Sequence, residues 1–273
     1  MSNLYEKTYW TAPIDYITST YIREYDISKA NINILLSLGA ITKTEYDYYY
    51  RLPKYAREVM VGYLLKDRKD EKLGVDIVKG IREYRRLFFE ANDIQDTNVL
   101  AIKNDAIFLI DKVAKYTKFG DTVEFKNKDT FTSYYALDRK YNKEFYYLLD
   151  IPNNKEILEI KGMGNEGYKL HEPYMIDFFK VLFSTVETAP IDEAVELLQK
   201  FSESYLAKEL DIGYYRRFDS ICGYDTIIHN SIGDMYNMKY LSENDRSIIE
   251  IGYNYGIIMN LYKYISSMIF RKK

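Results

Sequence analysis

Tyr25-Asp26-Ile27-Ser28-Lys29-Ala30 and Lys103-Asn104-Asp105-Ala106-Ile107-Phe108 decide the reading of this chain. Each sets one carboxylate beside a short apolar run of the kind that forms a buried strand. Residues 21–27 are rich in β-branched and aromatic side chains and predict a strand with Asp26 at its end. Residues 99–102 and 106–110 are two more apolar runs, and the Lys103-Asn104-Asp105 between them has the turn-formers of a tight hairpin, with Asp105 at or just after its tip. Two carboxylates brought together from separate strands are what a divalent metal site needs.

Between these segments, residues 30–38 continue as an apolar helical or turn segment ending at Gly39. Residues 44–65 read as helical with a break near Pro53, and residues 75–91 as a second helix. Arg82, Arg85 and Arg86 fall at i, i+3 and i+4 on that second helix, which predicts a basic face suited to phosphates. Further strands are predicted at residues 122–126, 133–137 and 144–149. From Pro173 onward the pattern becomes almost entirely helical, with a clear apolar stripe over residues 190–210 through Ile191, Val195, Leu198, Phe201 and Leu206. The glycine-rich stretch at residues 161–167 lacks the Gly-Lys-Ser/Thr ending of a phosphate loop and reads as a linker. The expected fold class is therefore α+β: a mixed domain with an antiparallel sheet over residues 1–165, then an all-helical region over residues 166–273.

Composition narrows the function classes. A chain of 273 residues with 47% hydrophobic content can bury a sizeable core. A net charge of -3 gives no global attraction to nucleic acid, so such binding would need a local basic face. The single cysteine, Cys222, excludes an internal disulfide and a Cys-rich zinc cluster, which suits a reducing cytoplasm. The N-terminus has no basic region followed by an apolar stretch, so no secretory signal is expected, and Glu250, Asn254, Asn260 and Lys263 interrupt the apolar segment at residues 248–270, so no membrane span is expected either. The thirty tyrosines, with many Lys, Asn and Ile, fit the coding bias of an AT-rich genome such as that of a low-GC bacterium or its phage.

Other constellations carry less chemistry. His171-Glu172 reads as a surface or capping pair, Asp225 and His229 as a local ion pair at i, i+4 on a helix, and Cys222 as a buried thiol. Tyr214-Tyr215-Arg216-Arg217-Phe218 interleaves arginines with aromatics, a combination that neutralises phosphates and stacks on bases, so Tyr215, Arg216 and Arg217 are candidate nucleic-acid contacts.

The order of a strand with Asp, helices, a hairpin with Asp and further strands resembles the palm domain of template-directed polymerases. Tyr25-Asp26-Ile27-Ser28-Lys29-Ala30-Asn31-Ile32 is similar to the first palm motif of phage family B DNA polymerases, and Lys103-Asn104-Asp105-Ala106-Ile107-Phe108-Leu109 to their hairpin motif. Phe131-Thr132-Ser133-Tyr134-Tyr135-Ala136-Leu137 resembles the end of the strand region that follows the hairpin and faces the primer. The chain departs from that pattern in carrying Asn104 rather than a second acidic residue, and in lacking the Lys and Asn-Ser-Xaa-Tyr-Gly pattern on the arginine-bearing helix.

The resemblance implies a minimal or degenerate palm followed by a thumb-like region. Asp26 and Asp105 would be the catalytic, Mg²⁺-binding residues, and Arg82, Arg85, Arg86 and Tyr134 would contact substrate. It implies a DNA polymerase-like nucleotidyltransferase of a phage replication machinery in the host cytoplasm. Nucleic acid, a nucleoside triphosphate and further replication or virion subunits would be its partners, with no membrane. The alternative from another class is a non-catalytic phage structural or interaction component, in which the two aspartates need not meet.

Overall fold

The computed structural model describes residues 3–18, 20–67, 71–138, 143–150, 152–153, 155–161, 165–210, 217–219, 224–228 and 235–237. In chain order the elements are β1 (Tyr9–Thr11), β2 (Tyr16–Ile17), β3 (Ile22–Ile27), α1 (Ala30–Ser37), α2 (Lys43–Arg51), α3 (Lys54–Asp67), α4 (Glu71–Ala91), β4 (Val99–Lys103), β5 (Ala106–Ile110), β6 (Lys118–Phe119), β7 (Val123–Phe131), β8 (Ser133–Asp138), β9 (Lys143–Asp150), β10 (Lys155–Lys161), α5 (Asn165–Thr188), α6 (Ile191–Leu206), β11 (Arg217–Asp219), β12 (Tyr224–Ile228) and β13 (Met235–Asn237). The α+β class is as expected. So are the strand at Asp26, the hairpin at Asn104-Asp105 and the helix break at Pro53, which separates α2 from α3.

The chain packs as two compact units, one of residues 1–14 and 19–131, the other of residues 15–18 and 132–273. The first unit is built on a six-stranded sheet in the order β1-β4-β5-β3-β7-β6, with every recorded pairing antiparallel. Strand side chains alternate between faces. Tyr25 and Ile27 of β3 therefore turn to one side, where they join Ile102, Ile107, Leu109 and Phe125 in a core shared with α1 and α4. Ile22, Glu24 and Asp26 alternate to the other side.

Helices α1 and α4 supply much of the cover. The buried residues Leu73, Ile77, Ile81 and Phe88 of α4 recur at helical spacing and form one apolar stripe. Phe88 stacks on Phe125 at 4.3 Å between ring centroids and meets Tyr25 at 5.4 Å, so one aromatic ring ties α4 to two neighbouring strands. The Tyr25 hydroxyl in turn accepts the Ala114 N–H at 2.9 Å. Where α1 crosses α4 the backbones come close: a Cβ at Gly80 would lie 2.6 Å from Cγ2 of the fully buried Ile34. Helix α2 begins with a capping box in which Thr42 accepts the Glu45 N–H and Glu45 accepts the Thr42 N–H.

The second unit has a four-stranded antiparallel sheet in the order β10-β9-β8-β2. Its core is aromatic. Tyr135 stacks on Phe183 of α5 at 4.8 Å, Phe145 packs against Phe179 and Phe183, and Phe178 stacks on Phe201 of α6 at 4.0 Å. Glu187 of α5 accepts hydrogen bonds from Ser133 and Tyr135, at 2.6 and 2.7 Å. Burial, reinforced by that carboxylate, pushes the Tyr135 phenol well above its ordinary pKa.

Of the stretch at residues 161–167, Lys161 ends β10 and residues 165–167 open α5, while residues 162–164 lie outside the described residues; the two units divide at Phe131/Thr132. The region from residue 166 holds two long helices followed by the three-stranded antiparallel sheet β11-β12-β13, while residues 238–273 lie outside the described residues. Asp225 belongs to strand β12, where i, i+4 spacing does not bring side chains together as it does on a helix; His229, His171 and Cys222 are not described as parts of a site. His229 and Cys222 lie outside the described residues, and of His171 only its place in α5 is described.

Gly80→Val should destabilise the protein by about 1–3 kcal/mol, because the added methyls must displace a buried isoleucine at a close helix crossing. Urea unfolding monitored by circular dichroism measures this; an unchanged midpoint would mean that α1 and α4 do not approach as described.

Candidate functional site

Asp26 and Asp105 meet because of register. Asp26 of β3 pairs across the sheet with Ala106 of β5, the residue that follows Asp105 at the hairpin turn. The turn is formed by Asn104 and Asp105, with Asn104 at φ 57°, a left-handed conformation that asparagine tolerates better than most side chains. Asp26 lies beside Asp105, and both carboxylates line one cleft of ≈ 410 Å³.

The local fold behind Asp26 is held by a buried asparagine. After β3 the chain turns through Ser28 and Lys29, the latter at φ 49°, and enters α1. Asn33, 3% exposed, donates its side-chain amide to the Ser28 carbonyl and accepts the Tyr46 hydroxyl at 2.8 Å, while the Ser28 N–H bonds the Glu124 carbonyl at 3.0 Å. The loop that carries Asp26 into the cleft is thus pinned to α2 and to β7.

The electrostatics favour a cation. Asp26 has its pKa raised to about 6, chiefly by burial, then by the charges of Asp105 and Glu24 and by the contact with Asp105, with Lys128 opposing. Its Oδ1 is buried with no hydrogen-bond partner among the described residues. A buried carboxylate oxygen without a partner, on a side chain beside a second carboxylate, is unfavourable as it stands and would be satisfied by an oxygen-seeking divalent ion. The residues therefore fit Mg²⁺ or Mn²⁺.

Cationic residues share the cleft, although they are not those the sequence reading selected. Lys29, Lys54 and Arg57 line it together with Glu58. Arg57 Nη1 donates to the Leu52 carbonyl at 3.1 Å, which holds it at the start of α3. Lys29 Nζ donates to the Tyr50 carbonyl at 2.9 Å and lies over the Tyr50 ring. Lys54 and Arg57 stand at i, i+3 just after Pro53, a spacing that puts both on one helical side.

The predicted basic face of α4 is not a shared surface. Arg85 is 1% exposed and donates to backbone carbonyls. Arg86 is bound by Glu83 and Glu90, both at 2.6 Å, and borders a different and more apolar cavity of ≈ 590 Å³ beside Phe89 and Ile94. Arg82 donates to Thr8 Oγ1 at 2.9 Å. Tyr134 is fully buried in the second unit and packs against Tyr146 at 5.2 Å. Tyr215 and Arg216 lie outside the described residues, and Arg217 opens β11.

The fold and cleft define an α+β protein with a paired-carboxylate site at a strand end and a hairpin turn. Residues 1–267 match the family of the bacteriophage PBS1 gene 130 protein, and the chain belongs to that family. No curated protein matches it. Among the described residues no helix is long and apolar enough to cross a membrane.

The raised pKa of Asp26 has a definite sign. An Asp that holds its proton more tightly folded than unfolded makes the folded state less stable as pH rises from about 4 to 6, and the loss persists above pH 6. Without divalent metal at pH 7, Asp26→Asn should therefore raise the Tm, by ~2–4 °C if the gain is of order 1 kcal/mol after solvent screening, with the difference vanishing below about pH 4. Calorimetry across that range checks the sign; a lower Tm for the variant at pH 7 would contradict it.

Proposed function

We propose that this phage-family protein is a palm-type nucleotidyltransferase, DNA polymerase-like in the arrangement of its site. The observation that carries the reading is the convergence of Asp26 and Asp105 on one cleft with Lys54 and Arg57 on its lining. A non-catalytic structural or interaction component has no need to hold two carboxylates together at the cost of a raised pKa.

Asp26 and Asp105 are the residues that would hold Mg²⁺, with Asp26 Oδ1 the donor left without a partner. Mg²⁺ held there would supply the Lewis acidity that phosphoryl transfer from a nucleoside triphosphate needs. Lys54 and Arg57 neutralise the phosphates of a nucleoside triphosphate entering the cleft, with Arg57 suited to bidentate contact. Lys29, fixed on Tyr50, keeps a positive charge beside the loop that follows Asp26. Nucleic acid is the second substrate in this reading, and Tyr215, Arg216 and Arg217 remain its candidate contacts outside the palm-like unit.

Incorporation of labelled nucleotide into primed DNA and RNA templates with Mg²⁺ or Mn²⁺ tests the proposal. Asp26→Asn and Asp105→Asn should each lower the rate at least ~10²-fold, and Arg57→Ala should raise KM for the nucleotide more than it lowers kcat. No incorporation by the wild-type chain on any template, or equal incorporation by both Asp variants, would refute it.

A further inference from the structure

We propose that Arg85 is a positioning residue for Asp105, the centre of a clamp by which the N-terminal segment fixes the hairpin turn. The proposal rests on reading Asp26 and Asp105 as a metal-binding pair.

A buried guanidinium is ordinarily matched by a carboxylate. Arg85 forms no ion pair among the described residues. Its Nη1 donates instead to the carbonyls of Tyr5, at 2.8 Å, and Lys7, and its Nη2 donates to the carbonyl of Asn104. The Asn104 N–H donates to the Thr8 carbonyl at 2.7 Å. Both backbone polar groups of Asn104 are therefore bound from outside the hairpin, one by the N-terminal segment and one by α4, while its side-chain amide donates to Asp105 Oδ1 at 3.4 Å.

The consequence falls on the next residue. Asn104 is in the left-handed region, which a non-glycine residue holds only when its surroundings over-determine it. The carbonyl that Arg85 grips belongs to the peptide joining Asn104 to Asp105, and the plane of that peptide sets the direction in which the Asp105 side chain leaves the backbone. Arg82, one turn earlier on α4, ties down the same segment through Thr8 Oγ1. Tyr5, Lys7 and Thr8 thus belong to the support of the site without lining its cleft. A planar fork serves several carbonyls at once, which a flexible ammonium does less well.

The test compares the full chain with Arg85→Met, Arg85→Lys and the surface control Lys79→Met. The readouts are Mn²⁺ affinity from the paramagnetic resonance of the free ion, hydrogen exchange of the amides at residues 104–106, and Tm. Arg85→Met should weaken Mn²⁺ binding at least ~10-fold and speed exchange at residues 104–106 while β3 and β7 stay protected. Arg85→Lys should recover part of both effects, and Lys79→Met should change neither. If Arg85→Met does not fold, Arg85→Lys alone decides, by weakened Mn²⁺ binding at a cooperative Tm. Wild-type affinity and turn exchange in a folded variant, or exchange that accelerates uniformly over the sheet, would overturn the proposal. Should the wild-type chain bind no Mn²⁺, the metal reading fails on its own, and the local exchange pattern still decides whether Arg85 holds the turn.

Discussion

The antiparallel register of β3 on β5 is the constraint on which the rest depends. It sets Asp26 opposite Ala106, and so beside Asp105, and it turns Tyr25 and Ile27 toward the helices on the other face. Slipping the pairing by one residue would send the carboxylate into the aromatic core and Tyr25 into the cleft. The register is well protected, because Phe88 and Phe125 pack where only the observed alternation leaves room. Core packing and placement of the site are thus two results of one pairing.

Such a site is held against its own electrostatics. Two carboxylates and the nearby Glu24 repel one another, and the cost is borne by a sheet whose central strands β3 and β5 are mostly buried. Asn33 fixes the loop after Asp26, and the contacts of Asn104 fix the turn before Asp105. Preorganisation of this kind is what a site needs to receive a cation without rearranging.

Much of the first unit was legible in the sequence, and for local reasons. β-Branched and aromatic side chains in residues 21–27, turn-formers between two apolar runs and a proline between two helical stretches each determine structure over a few residues. The basic face of α4 was misread because periodicity shows which residues share a side of a helix and not what that side meets. Arg85 turns inward to three carbonyls, and Arg86 is taken by acids of its own helix. Lys54 and Arg57 escaped notice because their relation to the cleft arises only when α3 packs beside the loop after β3. Tyr134, expected to contact substrate, lies in a core because the start of β8 is covered on both faces, with Ser133, Tyr134 and Tyr135 all buried. The division between the units was hidden because β7 and β8 follow one another almost without a break, and no glycine or proline marks Phe131/Thr132.

The most direct test of the account is the anomalous difference density of a crystal of the full chain soaked in Mn²⁺. The account predicts density between the Asp26 and Asp105 carboxylates, with both as ligands. Carboxylates that remain apart, with no metal between them in the soaked crystal, would contradict it.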